Sequence, residues 1–336
     1  MQAARIKAIS YYLPDQVLHN ASLNQLFPEW SVDKISSKTG IYQRHIAAPD
    51  EFSSDMAVKA AQKLFDEHLI TPESIDFILL CTQSPDYFLP TTACIIQDRL
   101  KIPSTAGAID FNLGCSGYIY GLSLAKGLIS ALIAKNILLI TSETYSKFIH
   151  PKDKSNRTIF GDGASATLVS ANEGFAEIGD FELGTDGRGA KNLIVKNGGM
   201  RFPFSSANGK DVADDYGNIS NDNNLHMNGT EIFNFTSEAV PVMINKVLQK
   251  HSLTAEDVQL YVLHQANKYM LNHLRKKMLI PEERFYYFLE NCGNTVSSTI
   301  PIALYEASRA NKLKGNIVLA GFGVGYSWGA CVITIK

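Results

Sequence analysis

The 336 residues, 45% hydrophobic and 19% charged, suffice for two domains or one large two-lobed globular unit. A formal net charge of −2 argues against a general nucleic-acid or membrane-surface role. Five scattered cysteines with no CxxC or Cys/His spacing argue against a metal site and for a reducing compartment. The stretch up to Pro14 has too short an apolar run for a signal peptide, and no segment reaches the length of a membrane span. The expectation is a cytoplasmic enzyme or binding protein.

In chain order, Glu73-Ser-Ile-Asp-Phe-Ile-Leu-Leu80 reads as an acidic lead-in to a buried strand. Cys81-Thr-Gln-Ser84 and a helix from about Thr91 to Leu100 follow it. Gly114-Cys115 opens a helix-like run, and Asn136-Ile-Leu-Leu-Ile140 and Ala164 to Ser170 read as strands. From about Thr185 to Asn228 the chain is rich in Gly, Asn, Asp and Ser without a period, which predicts a long surface excursion. Its aromatics, Phe202, Phe204 and Tyr216, suggest that it packs on the body and covers a pocket. Glu256-Asp-Val-Gln-Leu-Tyr-Val-Leu263 then repeats the earlier strand pattern, followed by His264-Gln-Ala-Asn267 and a helix to about Met278. Gly293-Asn294 opens a run through Pro301 to about Ala310, and Asn316-Ile-Val-Leu-Ala320 and Ala330 to Ile335 complete the set.

The matched segments lie 183, 179 and 180 residues apart, in the same order. This predicts two copies of one α/β unit, residues 1–173 and 174–336, with a polar insertion over about 185–228. Packed with pseudo-two-fold symmetry, the copies would bring Cys115, His264 and Asn294 to one pocket at strand ends.

Cys115, in Leu113-Gly-Cys-Ser-Gly117, sits where extended chain gives way to helix. A helix N-terminus carries roughly half a positive charge, worth up to about 2 kcal/mol or about 1.5 pKa units, so a lowered thiol pKa is expected. The bland alternative is a small apolar core residue. His264 closes an apolar strand, and Asn294 lies in the turn-forming Asn291-Cys-Gly-Asn-Thr295. Two enzyme classes fit this trio. A papain-like hydrolase also has its histidine roughly 130–150 residues after the cysteine, but Leu-Gly-Cys-Ser-Gly lacks its local signature. Carbon–carbon bond formation on thioesters needs a thiolate to carry the acyl group and neutral donors for a growing enolate, which His and Asn supply.

The chain resembles the β-ketoacyl-acyl carrier protein synthase III family of the thiolase superfamily over nearly its whole length. The resemblance rests on Lys38-Thr-Gly-Ile-Tyr-Gln-Arg-His-Ile-Ala-Ala48, Leu89-Pro-Thr-Thr-Ala-Cys94, Cys115-Ser-Gly-Tyr118, Phe160-Gly-Asp-Gly-Ala164, Leu263-His-Gln-Ala-Asn267, Gly293-Asn-Thr295 and Trp328-Gly329. It implies a thiolase-like α/β fold in five αβαβα layers, a homodimer and a Cys115, His264, Asn294 triad. It also implies an oxyanion hole from the backbone N–H groups of Cys115 and Val324, where the family has glycine. No cofactor is implied; acyl-CoA is a substrate and an acyl carrier protein the partner. Trp30, Lys38, Leu89, Lys154, Arg157 and Asn267 become expected substrate contacts. Leu89 stands for a phenylalanine that reaches into the partner's acyl pocket, which suggests room for chains longer than acetyl. Lys154 stands for an arginine on the coenzyme A adenine, with Arg157 nearby, and lysine stacks less well. Tyr269 replaces a carrier-docking arginine, leaving Lys268, Arg275, Lys276 and Lys277 as the expected basic face. A specialised-pathway acyltransferase and a catalytically silent homologue are the alternatives, the latter disfavoured because all three side chains are present.

Overall fold

The computed structural model describes residues 2–204, 209–214 and 217–336. Its centre is a nine-stranded sheet. From the middle outward, one side runs Ala4–Tyr12, Gly163–Ala171, Asn136–Glu143, Phe77–Cys81 and Gly107–Phe111. The other runs Ala176–Thr185, Ser327–Ile335, Asn316–Gly323 and Val258–Leu263. The two sides read as the same sequence of strands, and only Arg5↔Glu177 and Ile6↔Ala176 register across the middle. A parallel bridge between Tyr261 and Phe285 stands where a fifth strand would complete the second side.

Three groups of helices cover these strands. Gly117–Ser130 and Thr299–Arg309 bury Ile119, Leu122, Ile300 and Leu304 between the two half-sheets. Ser53–His68 and Thr92–Arg99 cover the outer face of the first half, and Gly229–Lys250 and Lys268–Lys277 that of the second. The result is five alternating layers, helix outermost. Strands such as Phe77–Cys81 are therefore enclosed on both faces, which is why they read as unbroken apolar runs, not as alternating ones.

The predicted strands and helices recur within a few residues of their expected limits. The polar excursion differs in what anchors it. Phe202 and Phe204 are 42% and 71% exposed, so the aromatics do not dock it, and Tyr216 lies outside the described residues. Instead Leu193–Val195 pairs antiparallel with Leu225–Met227, and Leu193 and Leu225 enter the core around Cys115. The two short apolar runs bury Leu193 and Leu225 almost completely, whereas the described rings stay exposed.

Candidate active site

Cys115 lies one residue before Ser116, the N-cap of helix Gly117–Ser130. The turn presses against the end of strand Asn316–Gly323. A Cβ at Gly321 would come within 2.6 Å of the Cys115 carbonyl oxygen, and one at Gly323 within 3.0 Å of Sγ, so only glycine allows this approach. Ser116 Oγ lies 2.6 Å from Ser327 Oγ, which donates to the Val324 carbonyl at 2.9 Å. The two hydroxyls fasten the nucleophile turn to the Val324 turn, so the backbone groups of Cys115 and Val324 come from adjoining segments.

The thiol is shifted opposite to expectation. Burial, with a smaller contribution from the Glu143 carboxylate, pushes Cys115 up to about 12. The Cys115 backbone N–H works the other way but is outweighed by desolvation. Glu143 is itself buried and pushed up to about 8 by desolvation, although Ser297 Oγ donates to it at 2.8 Å and the Gln83 N–H at 3.0 Å.

His264 follows strand Val258–Leu263, and its N–H donates to the Ala320 carbonyl at 2.8 Å. Its ring meets Phe322 edge-on at 5.6 Å, and Nδ1 lies 2.7 Å from Thr299 Oγ1. Burial lowers the imidazole to about 3, so the ring is neutral. Asn294 is fixed through its backbone: its N–H donates to Ile159, and its carbonyl accepts from Gly161. Asn294 Oδ1 accepts the Val296 N–H at 2.9 Å, which leaves the NH2 as the outward donor. Val296 joins the set, since its side chain packs in the cluster containing Cys115 and its carbonyl accepts Thr299 Oγ1 at 3.0 Å. Phe322 beside His264 is followed at once by Gly323 against Cys115. Val296 thus links Asn294 directly and His264 through Thr299, and it packs in the same cluster as Cys115.

A cavity of about 860 Å³ adjoins this cluster, lined by Tyr145, Phe148, Leu193, Leu225, Val324 and Phe88 among others. Cys115, His264 and Asn294 are not among the residues that line it. Sequence reasoning missed Tyr145, Glu143, Thr299 and the pair Ser116 and Ser327. It also missed Leu193 and Leu225, although Leu193-Ile-Val195 and Leu225-His-Met227 are visible apolar runs in a polar stretch.

The outlying expected contacts divide. Trp30 is flanked by Lys34 and Lys38, whose Nζ atoms lie 5.2 and 5.7 Å from the ring centre. Lys154 is ion-paired with the neighbouring Glu29, which joins it to the Trp30 loop. Arg157 lies at the other end of the same short helix, Lys154–Arg157, where it donates to the Pro151 carbonyl at 2.7 Å and lines a hollow with Ile149 and Phe160. Asn267 caps helix Lys268–Lys277, its side chain accepting the Met270 N–H at 2.8 Å. Leu89 is 82% exposed and does not line this chain's own cavity. The basic face is also split. Lys268 and Lys276 share a cleft with Tyr269 against helix Val32–Thr39. Arg275 turns to Glu282 at 3.4 Å with its side chain only 16% exposed, and Lys277 donates to Ser237.

Comparison with known proteins converges on one family. Residues 109–187 match the family model described as 3-oxoacyl-[acyl-carrier-protein] synthase III, and residues 248–335 match the model of its C-terminal part. A β-ketoacyl-[acyl-carrier-protein] synthase III of Clostridium perfringens (strain ATCC 13124) is 36% identical over 337 residues, covering 100% of both chains. A 3-oxoacyl-(acyl-carrier-protein) synthase III crystal structure is 51% identical with a TM-score of 0.97, covering 99% of this chain and 100% of that one. The 3-oxoacyl-(acyl-carrier protein) synthase of Burkholderia xenovorans LB400 is 34% identical with a TM-score of 0.90, covering 100% and 95%. With the five-layered fold and full-length likeness in place, the chain belongs to the β-ketoacyl-acyl carrier protein synthase III family.

Proposed function

We propose that this chain catalyses the decarboxylating Claisen condensation of an acyl group, taken from acyl-CoA, with malonyl-acyl carrier protein, to start fatty acid synthesis. The reading is supported above all by the Val296 turn, which is bonded to Asn294, linked through Thr299 to His264 and packed in the cluster that holds Cys115. In the first half-reaction the Cys115 sulfur attacks the thioester carbonyl, its proton passes to the departing CoA sulfur, and the Cys115 and Val324 N–H groups hold the tetrahedral oxyanion. In the second, the malonyl C–CO2 bond breaks and its electron pair forms an enolate. His264 and Asn294 donate to the enolate oxygen, its carbon attacks the acyl-cysteine carbonyl, and the sulfur leaves as thiolate.

The halves 1–173 and 174–336 divide this labour, the nucleophile lying in the first and the enolate donors in the second. Lys268 and Lys276, beside Tyr269, support docking of an acidic carrier, and Trp30 with Lys38, Lys154 and Asn267 support contacts to coenzyme A. Arg157, Arg275 and Lys277 are bonded to Pro151, Glu282 and Ser237, as Lys268 is to Glu290 and Lys154 to Glu29, and such pairs would exchange for the ligand. The exposed Tyr87, Phe88 and Leu89 support a homodimer in which Leu89 reaches the partner's acyl cavity, and donors longer than acetyl fit. Sedimentation at twice the chain mass is expected, and a monomer under assay conditions removes that element. Among the described residues no helix is long and apolar enough to cross a membrane, and we place the enzyme in the cytoplasm.

The test is to supply acyl-CoA and malonyl-carrier protein and follow the products by mass. A 3-oxoacyl-carrier protein with equimolar carbon dioxide is expected. Hydrolysis or transfer of the acyl group without carbon dioxide would instead make the chain a thioesterase or simple acyltransferase.

A further inference from the structure

Most polar side chains lining the cavity beside Cys115 have their bonds made at ordinary lengths. Ser53 Oγ donates to the Ser142 carbonyl at 3.1 Å, Asp86 Oδ1 accepts the Ser54 N–H at 3.0 Å, and Lys147 Nζ donates to the Ala48 and Pro49 carbonyls at 2.9 Å. Gln83 is different. Its Oε1 receives the Tyr145 hydroxyl at 3.3 Å, and its Nε2 reaches Asn112 Oδ1, also in the lining, at 3.4 Å. Both contacts exceed the preferred lengths of about 2.8 Å for O–H and about 2.9 Å for N–H donors. The second Nε2 proton has no acceptor among the described residues. The amide is nevertheless held in place. The Gln83 N–H donates to the buried Glu143 at 3.0 Å. A Cβ at Gly114 would stand 2.5 Å from Gln83 Oε1 and 2.9 Å from Val324 Cγ1, so the side chain lies against the residue that precedes Cys115.

An unsubstituted acyl chain packed here would take water from this amide and return no hydrogen bond, which is the costly case. An under-bonded N–H and two under-bonded amide oxygens call for a partner that both accepts and donates. A hydroxyl does so, whereas a carbonyl or carboxylate only accepts. We propose that Gln83 is a specificity-determining residue and that the favoured donor is a hydroxyacyl-CoA, its hydroxyl a few bonds from the thioester and bonded to the Gln83 amide. This deepens the proposed function and rests on it. The transfer itself is unchanged: the bond from Cys115 sulfur to the acyl carbon forms, the bond from that carbon to the CoA sulfur breaks, and the thiol proton leaves with CoA. Gln83 decides only which acyl group is taken.

The test compares two donors of the same shape that differ in one group. In 3-hydroxybutyryl-CoA, each enantiomer taken separately, a hydroxyl stands where 3-methylbutyryl-CoA has a methyl. Initial rates of acyl-enzyme formation on the full-length protein are read by intact mass below saturation, with acetyl-CoA as reference. One enantiomer of the hydroxy donor should react at least about tenfold faster than the methyl donor, the scale on which a site built for a hydroxyl rejects its apolar isostere. Equal rates, or a faster methyl donor, overturn the proposal, and this comparison needs no variant. Gln83→Met, of similar length without the amide, should abolish or reverse the preference, mainly by speeding the methyl donor. A preference that persists in Gln83→Met overturns the role of Gln83. Acylation by acetyl-CoA without preference defeats this inference and leaves the proposed function standing. No acylation by any donor defeats both.

Discussion

At the scale of residues, Cys115 and His264 are shifted in opposite directions by the same cause. Burial raises the thiol to about 12 and lowers the imidazole to about 3, so the resting pair is thiol and neutral ring, not an ion pair. In the proposed mechanism the sulfur is then activated only as it attacks, beside the Cys115 and Val324 N–H groups. With the thiol pKa raised, the thiolate fraction grows about tenfold per pH unit throughout the neutral range. Alkylation of Cys115 by iodoacetamide should therefore keep accelerating through pH 9 without a plateau; a plateau near pH 7 would mean that the helix terminus prevails. For stability the sign is different. His264 has a folded value below the ordinary 6.5 of a histidine, so its contribution is complete above 6.5 and is lost as pH falls toward about 3. The identities of Cys115, His264 and Asn294 were legible because each stands at a strand end or turn. Thr299, Glu143 and Ser327 were not, since their importance depends on contacts between residues 35 to 211 positions apart.

At the scale of elements, the end of strand Asn316–Gly323 is the wall against which the nucleophile turn is built. Gly323 permits this, and its Cβ would lie 2.9 Å from Cys115 Cβ and 3.0 Å from Sγ. Gly323→Ala should thus slow acyl-enzyme formation by at least about tenfold, on the scale at which misplacing reacting atoms costs rate, while circular dichroism stays unchanged. Unaltered acylation would show that the turn yields without displacing the sulfur. The strands themselves were legible as apolar runs and their repetition as constant offsets. The excursion was harder, because its composition is that of a loop while Leu193 and Leu225 supply core surface. Periodicity cannot reveal two three-residue strands whose pairing partner is 30 residues away.

At the scale of the molecule, two similar half-sheets meet across only two registered pairs, so the site depends on the packing of the central helices Gly117–Ser130 and Thr299–Arg309 between them. One helix begins just after Cys115 and the other five residues after Asn294. The duplication thereby brings two helix N-termini, one from each half, to a single cluster. It predicts a division of the two half-reactions between the halves. The most direct measurement follows both half-reactions in parallel: intact-protein mass after exposure to acyl-CoA, and carbon dioxide released from malonyl-carrier protein. Wild type should show the acyl mass increment and release carbon dioxide, while Cys115→Ala should show no increment. His264→Ala and Asn294→Ala should still acquire the acyl group yet lose about 10²-fold or more in carbon dioxide release. Acylation of the Cys115→Ala protein, or equal loss of both steps in the His264 and Asn294 variants, would contradict this account.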